Sequence, residues 1–259
     1  MAPAIQERLT QITGAQVMQS YGLTENTSHV SLDPRDGEVR TRCSGIRVPY
    51  MKIRIVKMKE GGEIERECGI DEIGMILVGG PGVAGGYLDP SQNKGAFLDN
   101  GFFVTGDLGS LDSDGYLRIS GRQKDLIIRG GVNISPFALE NILQRESNIK
   151  EAAAIGLPHE IWGECIVACL VIKKNIDSEM LQLNIQKRCT EELAEGMRPD
   201  YYVFLDNFPY SSTGKVQKHI LVKRLTQLVL PGITGSPTLF IISSGIPGPS
   251  SFILISIKL

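Results

Sequence analysis

The sequence predicts an α+β fold, in which a small β-barrel-like subdomain or curled sheet is followed by a small α+β domain. Three observations support this prediction. Residues 45–120 alternate short apolar stretches with Gly-rich turns, and the residues after Gly121 mix helical and strand patterns. The third is that 42% of the 259 residues are hydrophobic, which is enough to bury one or two cores.

The first part of the chain begins with a helix and continues with strands. Ile5, Leu9 and Ile12 recur at helical spacing, which predicts an amphipathic helix. A short strand is expected at Gln16–Ser20, directly before the segment Tyr21-Gly22-Leu23-Thr24-Glu25.

Gly-rich turns punctuate the strands that follow. Strands are expected at Met51–Val56 and Met75–Val78, on either side of a turn at Gly61-Gly62. Asp114-Gly115 follows the apolar Leu111 and predicts a hairpin. Several short strands at such intervals favour a small barrel or a curled sheet.

The pattern changes after residue 120. Ser135-Pro136 is typical of a helix start, because serine caps the first turn and proline fits its first position. The expected elements beyond it are strands at Ala152–Ile155, Cys165–Ile172 and Tyr201–Phe204 and a helix at Met180–Leu193. We therefore predict three regions, residues 1–120, 121–224 and 225–259.

The last of these regions differs from the rest. Its 35 residues contain four Pro, four Gly and one charged residue, Lys258. Its apolar stretches have no helical period, and we expect an atypical, disordered tail.

Composition excludes several classes of function. The formal net charge of −2 gives no basic surplus, so nucleic acid is not an expected partner. No segment is apolar enough over its length to predict a transmembrane span. The five cysteines include no CxxC pair and no Cys/His cluster, which argues against structural zinc and favours a reducing, intracellular compartment. Cytoplasm and mitochondrion are equally compatible with that expectation.

Four motifs carry the chemistry. They are Tyr21-Gly22-Leu23-Thr24-Glu25, Thr105-Gly106-Asp107, the segment from Gly121-Arg122 through Gly130-Gly131 to Pro136, and the segment Pro209-Tyr210-Ser211-Ser212-Thr213-Gly214-Lys215-Val216-Gln217-Lys218. In this order and spacing, from about Ile5 to Arg224, the chain resembles the adenylate-forming superfamily of acyl-CoA synthetases, coumarate–CoA ligases, luciferases and peptide-synthetase adenylation domains.

The resemblance implies roles for three residues of the first motif and two that follow. Tyr21 would lie against adenine, Thr24 would donate a hydrogen bond to the α-phosphate of ATP, and Glu25 would hold Mg²⁺. Asp107 would accept hydrogen bonds from both ribose hydroxyls, and Arg122 would reach the same ribose. An aromatic face, a hydroxyl donor and a hard oxygen ligand suit a metal–nucleotide site.

The remaining roles fall in the second domain. Gly130 and Gly131 would let the backbone approach coenzyme A closely. Lys215 would be the mobile catalytic lysine of adenylate formation, supplying a point charge to the phosphate. Residues 1–120 would then be the end of the large AMP-binding domain, and residues 121–224 the small carboxyl-terminal domain.

The expected activity is that of a carboxylic acid–CoA ligase, which converts an acid and ATP to acyl-AMP and then to a coenzyme A thioester. A fatty acid is the expected acid, although no pocket residue identifies it. The family's phosphate-binding loop does not precede Tyr21 here, so we expect the chain to be incomplete for turnover. Two alternatives stay open: a non-catalytic truncated product that binds nucleotide or partners, and an adenylate-forming enzyme that loads a carrier protein or acts like luciferase. The oligomeric state is not predicted.

Overall fold

The computed structural model describes residues 3–173, 176, 178–229, 238–242 and 252–256. It divides into an amino-terminal unit, Met1–Lys124, and a carboxyl-terminal unit, Asp125–Leu259. The division falls four residues beyond the predicted boundary at residue 120. The two units are described separately.

The amino-terminal unit consists of a helix and two sheets. Its described elements are α1 (Pro3–Thr13), β1 (Ser20–Leu23), β2 (Ser28–Leu32), β3 (Ile46–Arg47), β4 (Lys52–Met58), β5 (Ile64–Glu67), β6 (Gly74–Gly79), β7 (Phe102–Leu111) and β8 (Leu117–Arg122). One sheet has the order β1-β2-β3 and the other β5-β4-β6-β7-β8. Every pairing within them is antiparallel.

Of the two forms expected for this unit, a small barrel or a curled sheet, the structure shows a sheet that is not closed. The larger sheet is open, because β5 and β8 stand at its two edges and are not hydrogen-bonded to each other within the described residues. β6 lies in its interior and is buried along its whole length, as its continuous apolar sequence requires.

Two local predictions in this unit need correction. The predicted strand at Gln16–Ser20 is displaced, since β1 begins only at Ser20. The helix predicted from Ile5, Leu9 and Ile12 forms, but Leu9 and Ile12 are exposed. That helix instead buries Gln6, whose side-chain amide donates to the carbonyl of Val17 at 2.8 Å.

The carboxyl-terminal unit is a sheet with helices on both faces. Its described elements are β9 (Ile127–Arg129), β10 (Val132–Ile134), α2 (Pro136–Leu143), β11 (Ile149–His159), β12 (Gly163–Ile172), α3 (Ser178–Glu192), β13 (Tyr201–Leu205), α4 (Lys218–Val229), β14 (Thr238–Ile242) and β15 (Phe252–Ser256). The order is β10-β9-β12-β13-β14-β15, with β11 also paired to β12. The β12–β13 and β13–β14 pairings are parallel.

Alternation along β11 and β12 builds two cores in this unit. Ala154 and Leu170 face α2 and α3, whereas Ile155 and Cys169 face α4. Fully burying a side chain of leucine size contributes about 1.5–3 kcal/mol, so these two layers account for the unit's compactness. Ser135 caps α2 as predicted, because its hydroxyl accepts from the backbone N–H of Phe137.

The cysteines behave as packed apolar side chains. Cys165 and Cys169 are buried in β12, as the apolar run predicts. Burial raises the pKa of the Cys169 thiol to about 12 and that of Cys165 to about 11, so neither forms a reactive thiolate readily.

Parts of the region predicted as an atypical tail, residues 225–259, lie in described elements. Helix α4 runs through this point to Val229, and the backbone of residues 238–242 pairs with β13. Short apolar runs between Gly and Pro are typical of strands as well as of irregular segments. Residues 230–237, 243–251 and 257–259 lie outside the described residues. Among the described residues, no helix combines the length and apolar character needed to cross a membrane.

Candidate nucleotide and metal site

The first motif forms the end of one strand and the turn after it. Tyr21 lies in β1, and Thr24, Glu25 and Asn26 form a 3₁₀ turn that leads into β2. The β1–β2 ladder shifts register between Tyr21 and Gly22. A Cβ on Gly22 would lie 1.5 Å from the carbonyl oxygen of Ser28, so only glycine fits there. This bulge fixes where the side chains of the motif emerge.

Asp107 lies on β7 and joins two other predicted site residues. The Tyr21 hydroxyl donates to its Oδ2 at 2.7 Å, and the Arg122 Nε donates to its Oδ1 at 2.8 Å. Arg122 stands directly opposite Asp107 in the β7–β8 ladder. Asp107 is only 6% exposed, whereas the Arg122 side chain is 45% exposed. The carboxylate is therefore enclosed, with its arginine partner facing solvent.

The phenol of Tyr21 is held in its protonated form. Burial, together with the negative charge of Asp107, raises its pKa well above the usual value. Thr105 orients the turn before Asp107, because its hydroxyl donates to the carbonyl of Ile76 at 2.8 Å and accepts from the Asp107 N–H at 3.0 Å. Between them, Gly106 has a φ of 74°, which favours glycine.

Glu25 has a partner that lies 62 residues away in the sequence. The Tyr87 hydroxyl donates to Glu25 Oε1 at 2.8 Å, and burial, followed by the glutamate's charge, raises the pKa of Tyr87 to about 12. Glu25 is half-buried, and Thr24 beside it is exposed. The backbone carbonyl of Glu25 also accepts from the N–H of Ala84 at 2.8 Å.

The paired glycines of the other unit form a hairpin turn. Gly130 and Gly131 connect β9 to β10 and have φ of 57° and 80°, as a two-residue turn with left-handed central residues requires. The N–H of Gly130 donates to the carbonyl of Trp162 at 2.7 Å. Trp162 is 47% exposed, and the Arg129 guanidinium carbon lies 5.6 Å from the centre of its ring.

Lys215 is exposed at the end of a tight turn. The backbone N–H of Ser211 donates to the carbonyl of Lys215 at 2.9 Å, and the Ser211 hydroxyl accepts from the Lys215 N–H at 3.2 Å. Gly214 has a φ of 76° within this turn. Among the described residues, no carboxylate lies within ion-pair distance of Lys215. The turn therefore presents an unpaired cation to solvent.

Two family profiles match the chain. The profile for "AMP-binding enzyme" matches residues 1–88, and that for "AMP-binding enzyme C-terminal domain" matches residues 138–215. The chain belongs to the adenylate-forming superfamily. The first profile covers Tyr21, Thr24 and Glu25, and the second ends at Lys215. Asp107, Arg122, Gly130 and Gly131 fall in the unmatched interval.

Similar sequences are CoA ligases. The chain is 36% identical to the marinolic acid–CoA ligase of Pseudoalteromonas sp. over 84% of this chain and 33% of that protein. It is 37% identical to the 2-succinylbenzoate–CoA ligase of Enterococcus faecalis over 80% of this chain and 41% of that protein. The chain thus spans well under half of the length of these relatives.

A solved structure shows the same architecture. ATP-bound MatB from Rhodopseudomonas palustris superposes with a TM-score of 0.78 at 34% identity, over 87% of this chain and 44% of that one. The α+β fold is thereby confirmed.

The residues at Glu25 fit a magnesium ion that is bound mainly through substrate. The described residues contain no group of three His, Cys, Asp or Glu side chains that could form an all-protein metal site. Mg²⁺ usually keeps several waters and binds through one or two carboxylates and substrate phosphates. One half-buried carboxylate, anchored by Tyr87 through one oxygen, is a donor set of that kind.

Asp107 retains capacity for a ribose. Its two oxygens each accept one hydrogen bond from the protein, and a carboxylate oxygen can accept two. Two clefts of about 390 and 250 Å³ lie elsewhere on this unit, around Arg47 to Ile53 and around Ile53 to Asp112. None of the motif residues lines either cleft, so neither defines the site.

Sequence reasoning missed Tyr87 and the link from Tyr21 to Asp107. No local pattern signals these contacts, since the partners are 62 and 86 residues apart. The pairing of Asp107 with Arg122 had only a partial signal. The Asp114-Gly115 turn predicts that these two segments pair, but the register beside the turn would not by itself place Asp107 opposite Arg122. A register shift between Leu108 and Gly109 brings the two residues opposite each other, and no sequence pattern signalled it.

Proposed function

We propose that this chain provides the ribose- and metal-binding side, together with the lysine-bearing domain, of a carboxylic acid–CoA ligase. The observation that supports the proposal best is the enclosed carboxylate of Asp107, held by Tyr21 and Arg122 beside the strand that leads to Thr24 and Glu25. A fixed carboxylate of this kind suits a ribose diol, which offers two donors.

The steps we assign to the chain are binding, orientation and charge stabilisation. Asp107 accepts from the ribose hydroxyls, and Tyr21 and Arg122 keep its two oxygens oriented. Thr24 donates to the α-phosphate, and Glu25 binds Mg²⁺, which when bound neutralises phosphate charge and withdraws electrons from the phosphorus. The acid's carboxylate attacks the α-phosphorus, and the bond to pyrophosphate breaks.

Lys215 carries the cation for that step in the proposal. A lysine on a turn, unpaired among the described residues, can bring a compact charge to the equatorial oxygens as negative charge develops there. The thiolate of coenzyme A then attacks the acyl carbon, and AMP leaves. The turn at Gly130-Gly131 offers backbone that can approach the pantetheine arm closely.

The acid and the compartment are the finer parts of the proposal. A fatty acid is the acid we propose, whereas the relatives' names specify marinolic acid and 2-succinylbenzoate. The proposed compartment is intracellular, either cytoplasm or mitochondrion, because ATP and coenzyme A are intracellular substrates and all five cysteines are free thiols.

Acid-dependent exchange of pyrophosphate into ATP tests the proposal. Since the chain spans 41% of the E. faecalis ligase, the assay joins it to the part of that ligase which precedes the matched region. We expect exchange that depends on an added acid. A panel of fatty, dicarboxylic and aromatic acids tests the narrower choice of acid, and a preference outside the fatty acids would contradict it.

Lys215 supplies the decisive variant. Lys215→Ala should reduce exchange at least a hundredfold, in line with the loss of one charge-stabilising group. It should change thioester formation from supplied acyl-AMP far less. Lys223→Ala removes a lysine from an exposed position of α4 and is the matched control. Equal loss in both half-reactions, or no exchange by a folded chimera, would contradict the proposal.

A further inference from the structure

A glycine-rich loop is hydrogen-bonded to the Thr24–Glu25 turn and to the residue that follows it. This segment, residues 80–87, follows β6 and has the sequence Gly-Pro-Gly-Val-Ala-Gly-Gly-Tyr. The Ala84 N–H donates to the backbone carbonyl of Glu25 at 2.8 Å, and the Thr27 hydroxyl donates to the carbonyl of Gly82 at 2.9 Å. With the hydroxyl of Tyr87 on Glu25 Oε1, the loop contacts both the backbone and the carboxylate of the turn.

Close packing leaves the loop little freedom to move. A Cβ on Gly82 would lie 3.0 Å from the backbone oxygen of Asn26, which is itself 2% exposed. A Cβ on Gly80 would lie 2.6 Å from the carbonyl oxygen of Tyr50, and Gly80 has a φ of 125°. Glycine is therefore required at position 80, where the loop passes Tyr50, and a Cβ at position 82 would fit only if the loop or Asn26 shifted by a few tenths of an ångström.

The ring of Tyr87 is fixed independently of Glu25. Its backbone N–H donates to Asn93 Oδ1 at 2.7 Å, and its ring packs edge-on against Phe97 and Phe103, with centroid separations of 5.4 and 6.5 Å. The ring centroids of Phe97 and Phe103 are 4.9 Å apart, so these two rings also pack against each other. The position of the Tyr87 hydroxyl is thus set by the aromatic cluster, and the hydrogen bond to this hydroxyl sets the orientation of the Glu25 carboxylate.

We propose that Tyr87 is a positioning residue that fixes the Glu25 carboxylate for magnesium–nucleotide binding, and that loop 80–87 is the part of the fold that delivers it. Oε1 already accepts one hydrogen bond from the phenol, which leaves Oε2 as the oxygen with both lone pairs open to the cation. Holding a carboxylate in one orientation matters because Mg²⁺ demands nearly ideal octahedral geometry. This inference rests on the proposed function, since it assigns Glu25 to the metal.

Binding of MgATP and of AMP to the full 259-residue chain tests the inference without any turnover assay. Tyr87→Phe keeps the aromatic cluster and deletes only the donor. We expect the affinity for MgATP to fall about tenfold, equivalent to ~1.4 kcal/mol, and the affinity for metal-free AMP to stay within about twofold. In electron paramagnetic resonance with ATP present, binding of Mn²⁺ to the chain reduces the signal of the free ion. This reduction should be smaller for Tyr87→Phe than for the wild type.

Tyr116→Phe is the matched control. Its hydroxyl also makes one hydrogen bond, donating to the carbonyl of Glu38 at 2.6 Å, and within the described residues its hydroxyl is not bonded to Glu25. This variant should leave both affinities unchanged. Adding Tyr87→Phe to Glu25→Gln should produce no further loss in metal-dependent binding, because the phenol acts only through that carboxylate.

The outcomes separate the inference from the function beneath it. If the wild-type chain binds neither AMP nor MgATP, the proposed function fails. If the wild type binds both and Tyr87→Phe weakens AMP and MgATP equally, or weakens neither, the positioning role fails while the function stands. Additive losses in the double variant would likewise overturn it.

Discussion

Tyr21→Phe removes one hydrogen bond from an enclosed carboxylate. The phenylalanine ring keeps the packing of Tyr21 against the core around Val30 and Ile76. The hydroxyl that donates to Asp107 Oδ2 at 2.7 Å is lost, which leaves that oxygen without this partner inside a residue only 6% exposed. A hydrogen bond to a charged group contributes about 1.5–3 kcal/mol, so we expect a loss of this size in the free energy of unfolding.

The arginine on the other side of the carboxylate provides a comparison for the stability loss expected of Tyr21→Phe. Arg122 is 45% exposed, so its ion pair is screened by solvent and we expect Arg122→Ala to cost about 1 kcal/mol or less. Tyr21→Phe should therefore destabilise the amino-terminal unit more than Arg122→Ala does, even though only the arginine carries a formal charge.

Urea unfolding of the 259-residue chain, monitored by far-ultraviolet circular dichroism, measures both losses. A double-mutant cycle of Tyr21→Phe with Asp107→Asn isolates the pair, and we expect a coupling free energy of about 1–2 kcal/mol. A coupling near zero, or an Arg122→Ala variant that is the less stable of the two, would refute the reasoning that the enclosed phenol–carboxylate bond dominates.

Three further predictions concern stability. Tyr50 is 84% exposed and has a φ of 66°, a conformation that costs a non-glycine residue about 1–2 kcal/mol. In urea titrations, Tyr50→Gly should therefore be more stable than Tyr50→Ala by about 1 kcal/mol, and equal stability would contradict this. Glu140 accepts from the buried Ala154 N–H at 2.8 Å and pairs with Lys218 at 2.6 Å, so Glu140→Ala should lower the free energy of unfolding by about 1–3 kcal/mol more than Glu140→Gln does, and its melting temperature should be the lower of the two. Burial raises the pKa of Asp33, so its contribution to stability is fully present below the unfolded pKa and is lost as the pH rises through the folded pKa. The free energy of unfolding of Asp33→Asn should therefore rise relative to that of the wild type as the pH increases from 4 to 7. A difference that stays constant across that range would contradict the predicted sign.

Local sequence signals predicted the elements whose partners are close in the chain. The Asp114-Gly115 hairpin, the capped start of α2 at Ser135 and the apolar run of β12 all follow from turn chemistry or periodicity. Each depends on residues that are neighbours in the sequence, so a short window contains the information.

Contacts between distant segments could not be predicted in this way. The meeting of Tyr21 with Asp107 depends on how two sheets pack, and that packing leaves no mark at either residue. The sequence could not decide between a barrel and an open sheet for a similar reason, because closure depends on whether the edges β5 and β8 meet. Exposure of Leu9 and Ile12 shows that a helical period predicts the helix but not which face is covered.

The central claim is that this fold holds a nucleotide through the carboxylate of Asp107. Isothermal titration of AMP into the 259-residue chain tests it most directly, with Asp99→Asn, an exposed aspartate, as the charge-matched control. We predict weak one-to-one binding that Asp107→Asn abolishes, that Asp99→Asn leaves intact, and that AMP lacking the ribose 2′- and 3′-hydroxyls does not reproduce. Absence of AMP binding, or binding that Asp107→Asn leaves unchanged, would contradict the account.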